Sequence, residues 1–154
     1  MALDPAISEH RTSLVWKRTS DDFTYATYNR DHVVRTGSGV TLPASSAPEY
    51  KGDHDRVNPE EALVAALSSC HMLTFLALAA KRRFVVDAYE DEAIGYLTRN
   101  TKGKMHLGKC VLRPRIVWKD APPSAEVLAA LHATAHEECF IAQSVVTEVV
   151  IEQA

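Results

Sequence analysis

The sequence predicts an α+β domain, in which helices are segregated from an antiparallel sheet. Three observations support this fold class. Runs of alternating apolar and polar residues occur before and after a long apolar segment. That segment opens with strong helix-start residues at Asn58, and a second helical pattern follows Pro122-Pro123-Ser124. The predicted order is β-β-β-α-β-β-α-β, within a single domain over residues 1–154.

The first predicted strands lie before the long apolar segment. SLVWKRT (13–19) and FTYATYN (23–29) alternate and are joined by a polar turn, and HVVRT (32–36) and VTL (40–42) flank Gly37-Ser38-Gly39. The next segment, PASSAPEYKGDHDR (43–56), is rich in proline, serine and charge. This composition predicts an exposed and partly mobile loop.

The central helix has a clear start. Asn58 is a favourable cap, Pro59 suits the first helical position, and Glu60 and Glu61 lie at the positive end of the helix dipole. We expect the helix to run to about Arg83, where basic residues suit its last turn. Apolar residues surround its axis, which predicts burial on every side. A sheet of this size cannot cover such a helix alone, so dimerisation is expected.

The remaining elements follow in order. FVVDAYEDEAIGYLTR (84–99) and MHLGKCVLRPRIVW (105–118) predict two long strands joined by a turn at residues 100–103. AEVLAALHATAHEE (125–138) predicts the second helix, and SVVTEVVIE (144–152) predicts the last strand. The acidic run at residues 90–92 is interpreted as a solvated strand edge.

Charge and hydropathy exclude several function classes. A formal net charge of −3, without a lysine-arginine block, argues against a general nucleic-acid binder. The first 13 residues do not pair a basic region with an apolar run, so no secretory signal is expected. The apolar run LTFLALAA (73–80) is too short to span a bilayer. The sequence therefore predicts a cytoplasmic protein that does not enter a membrane.

The three cysteines are the candidates for chemistry. They are widely spaced and form no C-x-x-C pair, so neither a disulfide framework nor a thiolate zinc site is indicated. Cys70 lies inside the central helix, where periodicity alone favours an ordinary core cysteine. A free thiol has a pKa of about 8.5, so a nucleophilic role would require a nearby cation. His71 projects about 100° away around the helix and is interpreted as packing or hydrogen-bonding, and Cys110 as structural.

The second helix offers a rival arrangement. His132, His136 and Cys139 fall at i, i+4 and i+7 on one helical face, and their types suit zinc or copper. One helix rarely supplies three ligands, so a half-exposed polar stripe is the favoured interpretation and no metal is expected.

Two segments resemble a known family. Asn58-Pro59-Glu60-Glu61, followed by the apolar run to Ser69-Cys70, resembles the motif of the OsmC/Ohr superfamily of osmotically inducible and organic hydroperoxide resistance proteins. Cys139, within AHEECFIAQSV, matches the second family cysteine. The element order is similar from about residue 12 to residue 152. The resemblance implies an OsmC-like fold, an antiparallel sheet with a long buried central helix, in an intertwined homodimer.

The resemblance also implies a function. It is thiol-dependent reduction of organic hydroperoxides in oxidative-stress defence, without a cofactor or metal. Cys70 would be the peroxidatic cysteine and become a sulfenic acid, and Cys139 would resolve it as a disulfide. An external dithiol, of lipoyl type, would reduce that disulfide. Glu60 would orient an arginine that stabilises the thiolate. By position this arginine is Arg30, and Arg56 is the alternative.

Two features qualify this interpretation. The family's resolving cysteine is usually followed by proline, whereas here Phe140-Ile141-Ala142 follows. Glu60 and Cys70 are ten residues apart in sequence, about 15 Å along one helix, so Glu60 is predicted to serve the Cys70 of a partner subunit. The alternative function is an OsmC-like binding or metal-binding module without peroxidase turnover.

Overall fold

A computed structural model describes residues 7–153, and the chain divides into two compact units at Pro59 and Glu60. Within the described residues the fold is mixed α+β, with antiparallel pairings and a long central helix, as predicted. The strands are β1 (Thr12–Val15), β2 (His32–Thr36), β3 (Thr41–Ala44), β4 (Val86–Asp91), β5 (Ile94–Arg99), β6 (Met105–Leu112), β7 (Pro114–Trp118) and β8 (Glu148–Ile151); the helices are α1 (Pro59–Lys81), α2 (Ala125–Glu138) and α3 (Phe140–Gln143).

The N-terminal unit contains the antiparallel sheet β1-β2-β3. The strand predicted at 13–19 ends at Val15, and the strand predicted at 23–29 is wrong. That segment forms a turn, in which the amides of Thr27 and Tyr28 donate to the carbonyl of Thr24 at 3.1 and 3.0 Å. Its aromatic rings pack on one another instead of alternating across a sheet: Phe23 lies 5.3 Å from Tyr28 between ring centroids.

The loop at 43–56 is hydrogen-bonded rather than loose. A 3₁₀ helix forms at Pro48–Tyr50. The hydroxyl of Ser45, which is buried, donates to Asp31 at 2.9 Å and accepts from the amide of Asp53 at 3.1 Å. Gly52 is required by close packing, because a Cβ there would lie 1.5 Å from the carbonyl oxygen of Ser46. The expectation of exposure therefore holds for only part of this segment.

Helix α1 begins at the predicted proline and is buried along one stripe. The buried residues recur every fourth position, at Leu67, His71, Phe75 and Ala79. Leu73, on another face, is 61% exposed. The prediction of burial on every side is wrong for the single chain, because one stripe of four residues covers only part of the helix circumference.

By length and composition alone α1 could cross a membrane, with a mean hydropathy of 1.9 over its most apolar window. The expectation that this segment is too short to span a bilayer is wrong. It was based on the eight-residue run 73–80, but that run belongs to a helix of 23 residues. The core helix of a soluble protein passes the same test, so this finding assigns no location.

Each of the two long strands predicted in the C-terminal unit is broken in two. Strand β4 pairs antiparallel with β7, whereas β5 pairs antiparallel with β6, which also pairs parallel with β8. Asp91 explains the break, because its carboxylate accepts from the amide of Arg113 at 2.6 Å where both strands change sheet. Pro114, which has no amide hydrogen, begins β7. The predicted turn is confirmed: the amide of Gly103, at φ +71°, donates to the carbonyl of Asn100 at 2.8 Å.

Two apolar clusters form the core of this unit. One gathers residues of α1 and α2: Phe75, Ala79, Leu131 and Ala135. The other gathers residues of α1 and β6: Leu67, Cys110 and Leu112. Helix α2 begins as predicted at Ser124, whose hydroxyl accepts from the amide of Val127 at 3.3 Å. The short helix α3 was not predicted.

Candidate active site

Cys70 and Cys139 occupy different kinds of backbone. Cys70 is half-buried in the middle of α1. Cys139 lies between α2 and α3 with φ −72° and ψ 111°, an extended conformation that ends one helix and starts the next. Its sulfur accepts from the amide of Ala142 at 3.4 Å and so caps α3. The resolving candidate is thereby fixed at a junction between two helices.

The side chains of these two cysteines lie near each other. Although the two residues are far apart in sequence, the thiol of Cys139 is close enough to Cys70 for that neighbour to influence its pKa. Burial raises the pKa of the Cys139 thiol most, and Cys70 raises it further. The fold therefore brings the two cysteines predicted to react into one neighbourhood.

Cys110 lies elsewhere, on β6, and is fully buried beside Leu67 and Leu112. Burial raises the pKa of its thiol, and the negative charge of Asp91 adds to this. A thiol with a raised pKa is a poor nucleophile. This environment agrees with the structural role predicted for it.

Glu60 lies in the first turn of α1, one end of a helix whose middle holds Cys70. Its Oε2 atom is buried and has no hydrogen-bond partner among residues 7–153. A buried carboxylate oxygen without a donor is costly, so this atom calls for a donor from outside the described part of the chain.

Arg30 is held within the N-terminal unit. It is 9% exposed, and its guanidinium donates to the backbone carbonyls of Tyr25 and Tyr28. The same group lies 3.6 Å from the centre of the Tyr28 ring, a cation–π contact. Arg30 lines a cavity of about 390 Å³ together with Trp16 and Phe23. The guanidinium is therefore oriented by its own unit, beside an apolar cavity.

Arg56 is bound differently. Its Nε atom lies 3.3 Å from a carboxylate oxygen of Asp31 and 3.6 Å from one of Asp53, and its side chain is 32% exposed. Both arginines belong to the N-terminal unit, whereas Cys70 belongs to the C-terminal unit. Which arginine serves Cys70 stays a prediction.

The histidines of the two long helices form a buried pair. His71 Nε2 and His132 Nδ1 are hydrogen-bonded at 3.0 Å, and the residues are 1% and 4% exposed. The pKa of both imidazoles is lowered to about 4, by burial for His132 and mainly by burial for His71, to which the neighbouring His132 and His136 also contribute. Both rings are therefore neutral at pH 7. The hydrogen-bonding role predicted for His71 agrees with this contact.

The half-exposed stripe predicted for His132, His136 and Cys139 is wrong. His132 and Cys139 are buried; His132 is hydrogen-bonded to His71 of α1, and Cys139 lies near Cys70 of the same helix. Helix α2 packs this face inward because Leu131 and Ala135 beside it are core residues. Within residues 7–153, the one group that brings three potential ligand atoms within 4.8 Å is a different one, namely Asp53, His54 and Asp55 at the surface.

A family model described as OsmC-like protein matches residues 52–153. The chain belongs to the OsmC-like family. An uncharacterised protein of Bacillus subtilis is 29% identical over 117 residues, which cover 75% of this chain and 74% of that protein.

Solved structures of this family share the fold. An OsmC-like protein of unknown function from Vibrio cholerae superposes with a TM-score of 0.92 at 45% identity, covering 96% of this chain and all of that one (100%). The organic hydroperoxide resistance protein OhrB of Bacillus subtilis gives a TM-score of 0.67 at 18% identity, covering 97% of this chain and 100% of that one. A hydroperoxide resistance protein of Legionella pneumophila gives 0.71 at 17% identity, covering 97% of each chain. At these lower identities the likeness shows the fold alone.

In this OsmC-like protein the residue after Cys139 is Phe140 rather than the proline expected from the resemblance. Helix α3 nevertheless begins at Phe140, with the sulfur of Cys139 as its cap. Proline favours a first helical position but is not required there. The absence of a proline therefore does not prevent Cys139 from starting α3, and Cys139 still lies near Cys70.

Asp91 is the residue near this site that the sequence interpretation missed. It accepts hydrogen bonds from the hydroxyl of Ser68 on α1 and from the amide of Arg113. Its neighbours Glu90 and Glu92 behave as predicted and pair with Arg115 at the surface. The available signal was strand alternation, which directs residue 91 to the opposite face from residues 90 and 92.

Proposed function

We propose that this OsmC-like protein is a thiol-dependent peroxidase that reduces organic hydroperoxides in oxidative-stress defence. The observation that carries the proposal is the proximity of the half-buried Cys70 and the buried Cys139. A half-buried thiol is accessible to a substrate, and a buried thiol beside it is placed to react next. The fold shared with proteins named for organic hydroperoxide resistance supports the choice of substrate class.

The reaction proceeds in three steps. The Cys70 thiolate attacks a peroxide oxygen, an S–O bond forms, the O–O bond breaks, and the alkoxide takes a proton and leaves as an alcohol. The Cys139 thiol then attacks the sulfur of the Cys70 sulfenic acid; an S–S bond forms, and hydroxide leaves as water with the proton from Cys139. An external dithiol of lipoyl type reduces the disulfide through a mixed disulfide and is itself oxidised.

The proposed site is completed across a homodimer. Arg30, or alternatively Arg56, stabilises the Cys70 thiolate, and Glu60 orients that arginine. The unpartnered Oε2 atom of Glu60 supports this role, because a guanidinium would supply the missing donor. The distance of about 15 Å along α1 between Glu60 and Cys70 supports placing Glu60 in the site of the partner subunit.

Thiol labelling at pH 5 tests the nucleophile. Only a thiolate reacts rapidly with an alkylating probe, so an activated cysteine is labelled at a pH where ordinary thiols are not. We expect fast labelling of Cys70 alone, together with turnover of cumene hydroperoxide in the presence of dihydrolipoamide. Slow labelling of all three cysteines without turnover would instead indicate a binding or metal-binding module on the same scaffold.

Stoichiometric oxidation tests the resolving step. One equivalent of an organic hydroperoxide should link Cys70 to Cys139 within one chain, visible as a disulfide-bonded peptide pair by mass spectrometry. Over-oxidation of Cys70 to a sulfinic acid, with Cys139 still free, would show that Cys139 does not act as the resolving thiol.

A further inference from the structure

Two side-chain pairs connect the same two helices. His71 of α1 is hydrogen-bonded to His132 of α2, and Cys70 of α1 lies near Cys139 at the end of α2. On α1 the two residues are adjacent, about 1.5 Å apart along the axis. On α2 and its C-terminal cap the partners are seven positions apart, which corresponds to about 10 Å. Helix α2 therefore crosses α1 rather than running along it, and the two pairs mark two points of that crossing.

The imidazole pair is directional. The ring planes are within 4° of each other, and the ring centroids are 5.3 Å apart. The bonded nitrogens are 3.0 Å apart, and the difference between these two distances is about the width of one imidazole ring. The rings therefore meet end to end in a common plane, joined by one N–H···N hydrogen bond. The Phe75 ring covers the face of His132, with centroids 4.5 Å apart.

A proton, rather than a metal ion, fits between these nitrogens. Two lone pairs that point at each other along one line would hold a metal at a nitrogen separation of about 4 Å, with bonds of about 2.0–2.1 Å. The observed 3.0 Å is the ordinary length of an N–H···N bond. Because His71 Nδ1 is buried without a partner within residues 7–153, the favoured tautomer places the shared proton on His71 Nε2.

The position of Cys139 depends on the orientation of α2. With about 10 Å between His132 and Cys139, a rotation of α2 of about 6° around His132 moves Cys139 by about 1 Å. Apolar contacts are not directional and resist such a rotation weakly. The hydrogen bond, by contrast, holds one nitrogen of α2 at 3.0 Å from one nitrogen of α1, and it weakens steeply once its angle falls below about 120°.

We propose that the His71–His132 hydrogen bond positions Cys139 against Cys70 by fixing the orientation of α2 on α1. The inference rests on the proposed function for its purpose, because a fixed thiol pair resolves the sulfenic acid before further oxidation. His71 and His132 are positioning residues in this scheme and do not touch the substrate.

The test is the effective concentration of Cys139 toward Cys70 in a glutathione redox buffer. In this equilibrium the two thiols and oxidised glutathione give the protein disulfide and two reduced glutathione molecules, so the readout depends on geometry and uses no peroxide. The full chain carries Cys110→Ser, which removes the third thiol. The altered chain carries His71→Leu with His132→Leu, which fills the space with apolar groups and leaves no unpaired nitrogen.

We expect this double variant to fold and to lower the effective concentration about three- to tenfold, the range that one lost hydrogen bond implies. The single variant His132→Asn keeps His71 and places a side-chain amide where His132 Nδ1 lies. Its effective concentration should be within about twofold of that of the chain with both histidines. Leu131→Ala is the matched control, because it removes a fully buried neighbour on α2 without touching the pair. It should lower the unfolding midpoint and leave the effective concentration within about twofold.

An unchanged effective concentration in the double leucine variant would overturn the inference, as would a loss in Leu131→Ala as large as that in the histidine variants. If the double variant does not fold by circular dichroism, His132→Asn is compared with His132→Leu, and equal values overturn the inference. If the protein does not turn over hydroperoxides but the histidine variants lower the effective concentration as expected, the proposed function is wrong and the positioning role stands.

Discussion

The two units of the molecule are stabilised in different ways. The C-terminal unit has two apolar clusters, built on α1, α2 and β6. Among residues 7–59 the N-terminal unit buries a single apolar side chain, Ala44, and its other buried residues are polar: Arg30, Ser45 and Asn58. It also exposes large apolar side chains, among them Leu14, Val15, Phe23 and Tyr25.

This difference indicates a division of roles. A unit of about 60 residues without its own apolar core is rarely stable alone and needs a surface to pack against. In the C-terminal unit Cys70 and Cys139 already lie near each other. We therefore expect the thiol chemistry to reside in the C-terminal unit, and the N-terminal unit to supply the cation and a large part of the proposed dimer interface.

The largest expected effect is on turnover, and it distinguishes Cys70 from Cys110 within the C-terminal unit. Cys70→Ser should abolish hydroperoxide reduction, because a hydroxyl is nearly isosteric with the thiol but does not reduce a peroxide. Cys110→Ser is the matched control at a fully buried thiol and should retain turnover. Both rates come from a coupled assay with dihydrolipoamide, and turnover in Cys70→Ser would remove the assignment of the nucleophile.

A mixed dimer tests whether a site needs both subunits. Glu60→Ala and Cys70→Ser chains are co-expressed with different tags, and the heterodimer is isolated. If Glu60 acts on the partner, one of the two sites keeps a normal Cys70 and a normal Glu60, so activity should return to about half of the unaltered dimer.

Action of Glu60 within its own chain predicts a different result. Neither site of the heterodimer is then complete, and its activity stays at or below that of the Glu60→Ala parent, which has two Cys70 thiols where the heterodimer has one. Full activity of that parent would show that Glu60 only begins the helix. Purification of unaltered chains as monomers by light scattering would contradict the dimer itself.

The buried histidines predict a pH dependence that belongs to the C-terminal unit. Burial lowers the pKa of His71 and His132 from 6.5 to about 4 in the folded chain. Between these values the unfolded chain binds more protons, so the free energy of unfolding should fall as pH decreases from about 6.5 to about 4. The expected loss between pH 6.5 and pH 4.5 is about 5 kcal/mol for the pair, at about 1.36 kcal/mol per pH unit for each imidazole. Urea unfolding from pH 7 to pH 4.5 measures it.

The variant with His71→Leu and His132→Leu is the control for this loss. It lacks both groups, so its free energy of unfolding should fall less over the same pH range. Asp91, whose charge opposes the lowered pKa of His71, remains in that variant. An equal loss in both proteins would assign the pH dependence to other groups.

Local sequence signals predicted the elements that local chemistry determines. Asn58-Pro59-Glu60 marked the start of α1, Ser124 that of α2, and Asn100 with Gly103 the turn between β5 and β6. The failed strand at 23–29 had the alternation of a strand, but its aromatic rings pack on one another and on Trp16. Tertiary contacts of this kind override propensity, and the pattern alone does not reveal them.

The long-range pairings within the candidate site could not be predicted from the sequence for the same reason. Periodicity placed His132 and Cys139 on one face of a helix, but it does not say what that face packs against. The partners, His71 and Cys70, are adjacent residues on a helix that crosses it. The resemblance to the OsmC family supplied the cysteine pair, whereas no family motif pointed to the histidine pair.

The smallest expected effect concerns how the N-terminal unit holds its arginines. Arg30→Ala should cost about 1–3 kcal/mol of unfolding free energy, because it leaves two backbone carbonyls without their donor. Arg56→Ala should cost less, since its ion pairs with Asp31 and Asp53 are partly exposed to solvent. Equal costs would show that the buried guanidinium of Arg30 stabilises this unit no more than the partly exposed ion pairs of Arg56 do. The same two variants decide which arginine serves Cys70, because removal of the correct one slows labelling of Cys70 at pH 5 whatever its effect on stability.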